Sequence, residues 1–364
     1  MIRHLIMGLA LGLVLGCTPR GEIVLYPQVS QNDTSVSLQQ IFIATTRQKE
    51  GAHEFNALRT SQVSLARYDI SVPPTHTLGR VEWPQDDTPD PSQHFLTRDI
   101  QTYETRGDFR TAVRSSISTE DAVVFVHGYN NTFAEGLYRF AQIAQDVNIT
   151  GQKFHYAWPS SGDARGYIHD RDSVLFARDG FEQFLDDIAA ANPNGVYLVA
   201  HSIGSALTME TLRQASIKGN TKLLSAIRGV IFISPDIDVN VFLMQMRRIT
   251  PAPEQFLIFA SQRDIALRLS SFITGSGKRL GLIDNPEKLR NVNVDLIDIT
   301  SFTDSTDILN HSVAATSPTL LAILSNPDHM RDLLDTQKTA RRGSNVVSRI
   351  VQTANDATQI ILNP

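Results

Sequence analysis

Ser202 stands in Ala200-His-Ser-Ile-Gly204, between an apolar run, Val196-Tyr-Leu-Val-Ala200, and a helical pattern carrying Ala206, Leu207, Met209 and Leu212. A free serine hydroxyl is a weak nucleophile, and it becomes useful when a sharp strand-to-helix turn lifts it clear of a sheet beside a base. Such a turn brings two backbones so close that the flanking residues must be small. Gly204 meets that demand, and Ala200 stands where the usual G-x-S-x-G pattern has its first glycine. The plainer alternative is a buried turn serine satisfied by backbone groups, so the reading depends on partners elsewhere in the chain.

A nucleophilic serine needs a base, and the base needs an orienting carboxylate. Where this elbow is used, the chain order is serine, acid, histidine, each at the carboxyl end of a strand. Of ten histidines, His311 and His329 follow the candidate acids. His311 comes after the last predicted strand through the short stretch 303–310, and it is the expected base. His329, in Asn326-Pro-Asp-His-Met-Arg, reads as a surface residue in the first turn of a helix. For the acid, Asp264 after the strand at 255–260 is favoured, with Asp236 and Asp238 in Ser234-Pro-Asp-Ile-Asp as alternatives. The carboxylates not used should line the cleft or cap a helix.

The developing oxyanion needs two preorganised N–H donors. One is expected from the backbone of Ile203 and the other from Tyr129, in the loop His127-Gly-Tyr-Asn-Asn131 that follows the apolar run Ala122–Val126. His127 could suggest zinc, but no H-E-x-x-H or spaced Cys/His set accompanies it, so a role in holding the loop is expected. His201 is read as a packing residue.

The elements that must position these groups follow from the pattern. A continuous apolar run at Ala122–Val126 and strands read at 153–158, 229–234, 255–260 and 292–299 alternate with helical spacings such as Phe133, Leu137, Phe140 and Ile143. Repeated βα units with strands buried on both faces imply an α/β fold with a mostly parallel central sheet and helices on both faces. Strands predicted at 40–46, 65–72 and 79–83 have short connections and form an N-terminal antiparallel extension. The segment Ser160–Arg171 could sit over the pocket.

The chain has 364 residues, 41% of them hydrophobic and 20% charged, with a formal net charge of −5. No basic block points to a nucleic-acid partner. One cysteine, Cys17, excludes an intrachain disulfide and thiol chemistry in the body. It follows Arg3, His4 and an apolar run from Leu5 to Leu15 that is too short to span a bilayer. Val14-Leu-Gly-Cys17 resembles a bacterial lipobox, in which the cysteine is lipidated and becomes the first mature residue. The expected organisation is a signal peptide at 1–16, a tether at 17–39, a catalytic domain at 40–332 and a helical tail at 333–364. The tail places Val346, Val347, Ile350 and Val351 on one helical face. Anchoring at the periplasmic side of an envelope membrane, most simply the outer one, is the expectation.

Six motifs in order, Phe125-Val-His-Gly-Tyr-Asn-Asn-Thr-Phe, Trp158-Pro-Ser with Tyr167 to Asp172, Ala200-His-Ser-Ile-Gly-Ser, Ser234-Pro-Asp-Ile-Asp, Ser261-Gln-Arg-Asp-Ile-Ala-Leu and Leu309-Asn-His-Ser, together resemble a bacterial α/β-hydrolase family of unknown function. That family is grouped with the esterase/lipase superfamily. Ile43-Ala-Thr-Thr-Arg47 and Ile70-Ser-Val-Pro-Pro are similar to it as well, so the likeness runs from about Gln40 to Asp332. The resemblance implies the α/β-hydrolase fold and a Ser202–Asp264–His311 triad with Tyr129 and Ile203 as donors. It implies no substrate. The expected activity is hydrolysis of a small-molecule ester or lipid without metal or organic cofactor. The competing expectation is an envelope lipoprotein that uses the fold for binding or scaffolding without turnover.

Overall fold

The computed structural model describes residues 20–27, 36–84, 88–116, 118–192, 194–275, 277–284 and 286–325. Cys17 with the expected signal segment, His329 and the expected helical tail lie outside the described residues. Nine strands form one sheet, ordered β3-β2-β1-β5-β4-β6-β7-β8-β9. They are β1 (Ser37–Glu50), β2 (Glu54–Val72), β3 (Leu96–Tyr103), β4 (Ala122–Val126), β5 (Lys153–Ala157), β6 (Val196–His201), β7 (Ile227–Ile233), β8 (Gln255–Ala260) and β9 (Asp295–Asp298). The first three pair antiparallel, β1 runs parallel to β5, and every pair from β5 to β9 is parallel.

The apolar runs are buried on both faces because successive side chains point to opposite sides of a strand. Val124, Phe154, Leu198, Phe232 and Ile258 enter one core, which is covered by α1 (Arg106–Ser115), α3 (Tyr167–Ala191), α4 (Gly204–Lys218), α5 (Thr221–Ala226) and α6 (Val239–Arg248). Their neighbours Phe125, Ile233 and Phe259 face the other side, towards α2 (Phe133–Asp146), α8 (Val313–Thr316) and α9 (Pro318–Leu324). Each fully buried aromatic ring removes about 1.5–3 kcal/mol worth of apolar surface from water. α2 starts where Thr132 and Glu135 form a reciprocal capping box,. α7 (Ile265–Thr274) buries only Leu267 and Ser270. Among the described residues no helix is long and apolar enough to cross a membrane.

Two readings of the N-terminal part need correction. Residues 79–83 are not a strand: Gly79 has φ +81°, its N–H donates to Asp146 Oδ2 (2.8 Å), and Arg139 donates to its carbonyl (3.2 Å). Helix α2 therefore takes the hydrogen bonds that a neighbouring strand would have used. The third antiparallel strand is instead β3, along β2. Residues 20–27, read as part of a tether, lie against the body. Tyr26 N–H donates to Thr97 O and Thr97 N–H to Val24 O, while Arg20 reaches Asn130 O (2.8 Å).

Candidate active site

The parallel registers bring the loops together before any side chain is considered. Val126, the last residue of β4, pairs with Ala200 near the end of β6, and His201 pairs with Ile233 at the end of β7. The loop at 127–131 and the turn at 201–204 therefore emerge side by side from the carboxyl ends of adjacent strands. In open α/β sheets that is where ligands bind.

Ser202 carries φ +54°, a left-handed conformation unusual for a serine,. The turn is held from both ends. Ser202 N–H donates to Ile233 O (2.9 Å), and Ser202 O accepts from Asp236 N (3.1 Å) and Ser205 N (3.1 Å). Gly204 is required at the crossing, since a Cβ there would lie 2.4 Å from His127 O. Gly128 is required opposite, because its Cβ would come within 2.6 Å of His201 Nδ1 and 3.0 Å of Ser202 Cβ. The glycine-bearing loop thus rests directly on the serine. Among the described residues neither the Tyr129 nor the Ile203 backbone N–H has an acceptor, which leaves both free to donate to a ligand atom.

His311 reaches this corner from the far edge of the sheet. Its carbonyl lies 3.2 Å from His201 Nε2, and the two rings are 4.7 Å apart between centroids. Its Nδ1 is 2.7 Å from Asp264 Oδ2, while Asp264 Oδ1 accepts the Leu267 N–H (2.8 Å) and caps α7. Burial of the ring disfavours protonation, yet the Asp264 carboxylate and its hydrogen bond outweigh it. With Asp236 and Asp307 beyond, the net effect raises His311 above its ordinary value,. Ser202 is only 2% exposed, and its hydroxyl makes no hydrogen bond among the described residues.

The alternative acids are engaged elsewhere. Asp238 caps α6 through Asn240 N–H (2.9 Å) and Val241 N–H (3.3 Å). Asp236 is buried and accepts from Tyr167 OH (2.8 Å) and Ser270 Oγ (2.7 Å). Arg279 Nε lies 3.0 Å from its Oδ1 as an ion pair, out of line for a hydrogen bond. Both carboxylates are thus committed away from His311.

Burial disfavours the charged form of both His127 and His201. Burial, then Arg47 and His155, hold His127 well below its ordinary value, and its ring nitrogens lie 2.9 Å from Gly128 O and 3.0 Å from Trp158 O. Burial and the neighbouring His311 push His201 down to about 3. Among the described residues no three His, Cys, Asp or Glu side chains are grouped to hold a metal ion.

Three positioning groups were not singled out from the sequence. Asp307 Oδ2 accepts the N–H of His311 (2.8 Å) and of Ser312 (2.7 Å), so it fixes the backbone of His311. Asp170, fully buried, accepts from Asn130 N–H (3.2 Å), Ser160 Oγ (2.6 Å) and Ser161 N–H (2.6 Å). Arg47, turned inward where the β1–β2 register shifts, donates to Asn131 O (2.7 Å) and Ser160 O (3.1 Å),. Burial lowers Arg47 to about 10, with Asp170 and Glu135 opposing the loss of charge. These two buried charges clamp the Tyr129 loop to the turn at 160–161. The Tyr129 hydroxyl donates to Ala164 O, and its ring meets that of Tyr167 edge-on at 5.5 Å. The segment at 160–171 therefore lies against the loop that carries Tyr129.

Among solved structures, a fungal esterase from Rhizomucor miehei shares 11% identity over 84% of this chain and 83% of its own, with a TM-score of 0.33. Dienelactone hydrolase from Anabaena variabilis shares 11% over 72% and 89%, with a TM-score of 0.35. An esterase from the archaeon Pyrobaculum calidifontis shares 10% over 85% and 87%, with a TM-score of 0.34. No curated protein matches the chain. The family described as alpha/beta hydrolase of unknown function (DUF900) matches residues 102–327, the span from the end of β3 to beyond α9 that contains the turn at Ser202, the loop at 127–131 and His311. By that match, which covers more than half of its length, the chain belongs to this alpha/beta hydrolase family of unknown function.

Proposed function

We propose that the protein is a serine hydrolase that cleaves an ester-type bond through an acyl-enzyme. His311 takes the proton from Ser202 Oγ as that oxygen attacks the carbonyl carbon. The carbonyl oxygen becomes an oxyanion, received by the N–H groups of Tyr129 and Ile203. Collapse breaks the bond to the alcohol, which leaves with the proton from His311. Water, deprotonated by His311, then releases the acid and restores the serine. Asp264 holds the imidazole with its Nδ1–H towards the carboxylate. The observation that carries this reading is the 2.7 Å contact between Asp264 and His311 beside a positive-φ serine. Family membership supports the hydrolase class.

We place the enzyme at a bacterial envelope membrane through lipidated Cys17, facing the periplasm, on the strength of the lipobox-like Val14–Cys17 alone. The second reading, a non-catalytic binding or scaffolding lipoprotein, has one observation in its favour: Ser202 is buried and its hydroxyl makes no hydrogen bond to His311 among the described residues. Catalytic hydrogen bonds often tighten only when substrate is bound.

Labelling the purified protein with a fluorophosphonate separates the two. Labelling of wild type that is lost in both Ser202→Ala and His311→Ala is expected. Folded wild-type protein that takes no label would leave the scaffold reading in place.

A further inference from the structure

The helix that Asp264 caps has an outer face that a water-facing helix should not have. Leu269 is 57% exposed and Phe272 is 84% exposed, with Ile265 and Ile273 exposed on the same side. These positions recur at i, i+4, i+7 and i+8, so they form one stripe along α7. The stripe continues past the helix. Ile265 N–H donates to Leu309 O (3.0 Å), which sets exposed Leu309 and Ile308 (89% exposed) at the head of α7, two and three residues before His311. An exposed apolar surface therefore borders the side of the site from which Asp264 and His311 come.

Along α7 and the residues that follow it the charge is mainly positive, while Asp304 and Asp307 lie in the loop that carries Ile308 and Leu309. The chain is net negative, yet residues 263–283 hold Arg263, Arg268, Lys278 and Arg279 against a single acid, Asp264. That acid is buried and committed to His311. Arg279 is buried against Asp236, and Lys278 pairs with exposed Asp284. Arg263 and Arg268 remain as exposed cations at the head and on the outer surface of α7. Apolar side chains with arginines beside them match the layered chemistry of an anionic bilayer surface, where acyl chains lie beneath phosphate.

We infer that the outer face of α7, with Ile308 and Leu309, is a docking surface for a membrane rich in anionic lipid. Phe272 enters the acyl layer, and Arg263 and Arg268 stay among the phosphates. The inference rests on the hydrolase reading only in naming what the surface delivers, a lipid ester drawn from that layer towards Ser202. It does not depend on Cys17, because it fixes which face meets the bilayer rather than whether the chain is tethered.

The test reads that face directly. The chain has two tryptophans, and Phe272→Trp adds a third on the stripe. Ile217→Trp serves as control near the carboxyl end of α4, about 20 Å along that helix from the elbow. Full-length variants are mixed with vesicles of phosphatidylcholine and phosphatidylglycerol bearing brominated acyl chains. Phe272→Trp emission is expected to shift to the blue and lose about half its intensity, as for a side chain within the acyl boundary. Ile217→Trp is expected to stay unquenched. Adding Arg263→Glu and Arg268→Glu should raise the lipid needed for the same quenching about tenfold or more.

Unquenched Phe272→Trp in protein that sediments with the vesicles would overturn the inference. So would emission already blue-shifted without vesicles, which would put another segment of this chain or a second copy on the face. The readout requires no turnover. Quenching that persists in protein that takes no fluorophosphonate would remove the hydrolase reading and leave the docking surface standing.

Discussion

Asp264 Oδ2 lies 2.7 Å from His311 Nδ1 across 47 residues of chain, while the other oxygen of the same carboxylate caps α7. The side chain therefore has two separable duties, one to the base and one to the fold. Asparagine can still cap a helix but cannot hold the imidazole in the same tautomer. Asp264→Asn is expected to lower kcat by about 10⁴-fold while costing no more than about 1 kcal/mol of stability. Asp236→Asn should do the reverse. It strips the buried partner from Arg279 and destabilises by about 3 kcal/mol, with kcat of the folded protein kept within about tenfold. Ester turnover and thermal unfolding of the two variants check this, and deep inactivation of folded Asp236→Asn would move the acid to that position.

The proton equilibrium of His311 has a predictable sign. The mechanism needs the neutral ring, and the folded protein raises His311 above its ordinary 6.5 because Asp264 outweighs burial. The kcat/KM of the free enzyme should therefore rise with pH through a midpoint above 6.5, and the residual activity of Asp264→Asn through a lower one. A wild-type midpoint at or below 6.5 would contradict the role given to Asp264.

Gly128→Ala tests the donor loop. The added methyl would press on His201 Nδ1 at 2.6 Å and on Ser202 Cβ at 3.0 Å, so the loop must move away from the serine. Displacing one oxyanion donor costs about 10²-fold in kcat. KM is expected to change far less, and an unaltered kcat in a folded variant would argue against Tyr129 as a donor.

A separate prediction concerns stability. His76 is bridged by Glu82 (2.8 Å) and Asp146 (2.7 Å), which ties the loop around Gly79 to α2. Burial opposes its charge, but hydrogen bonds to Asp146 and Glu82 prevail and raise it to about 9. A group raised on folding contributes stability that is complete below its unfolded value, near 6.5, and that fades as pH climbs through about 9. His76→Ala should cost about 2 kcal/mol at pH 6 and flatten the pH dependence between those limits. Denaturant unfolding across that range would show it, and equal slopes for the two proteins would exclude the clamp.

What could be read in advance depended on burial. The runs at 122–126, 153–158, 229–234 and 255–260 are apolar on both faces, and only the interior of a covered sheet accommodates that. The elbow was legible because Gly204 and its flanking elements have no freedom to differ. β3 gave no such signal, since Leu96-Thr-Arg-Asp-Ile-Gln-Thr-Tyr103 is an edge strand with half its residues facing water. Residues 79–83 looked like a strand because Val81 and Trp83 alternate, but alternation does not reveal a glycine at φ +81°. Arg47, Asp170 and Asp307 were the hardest. A charged residue in sequence normally faces solvent, and only the folded chain shows these turned inward against backbone groups.

The segment at 20–27 has one more consequence. A long sheet offers two open margins where a stranger's backbone could add itself rung by rung. Here one margin, β9, is only four residues long. The other, β3, is partly occupied from its start, where Leu25 bridges Thr97 and the flanking amides of Tyr26 and Thr97 are bonded across the gap. What reads in the sequence as slack before the body thus works as a hem over the start of that border, occupying the backbone groups of Thr97 that a stranger's strand would otherwise meet first.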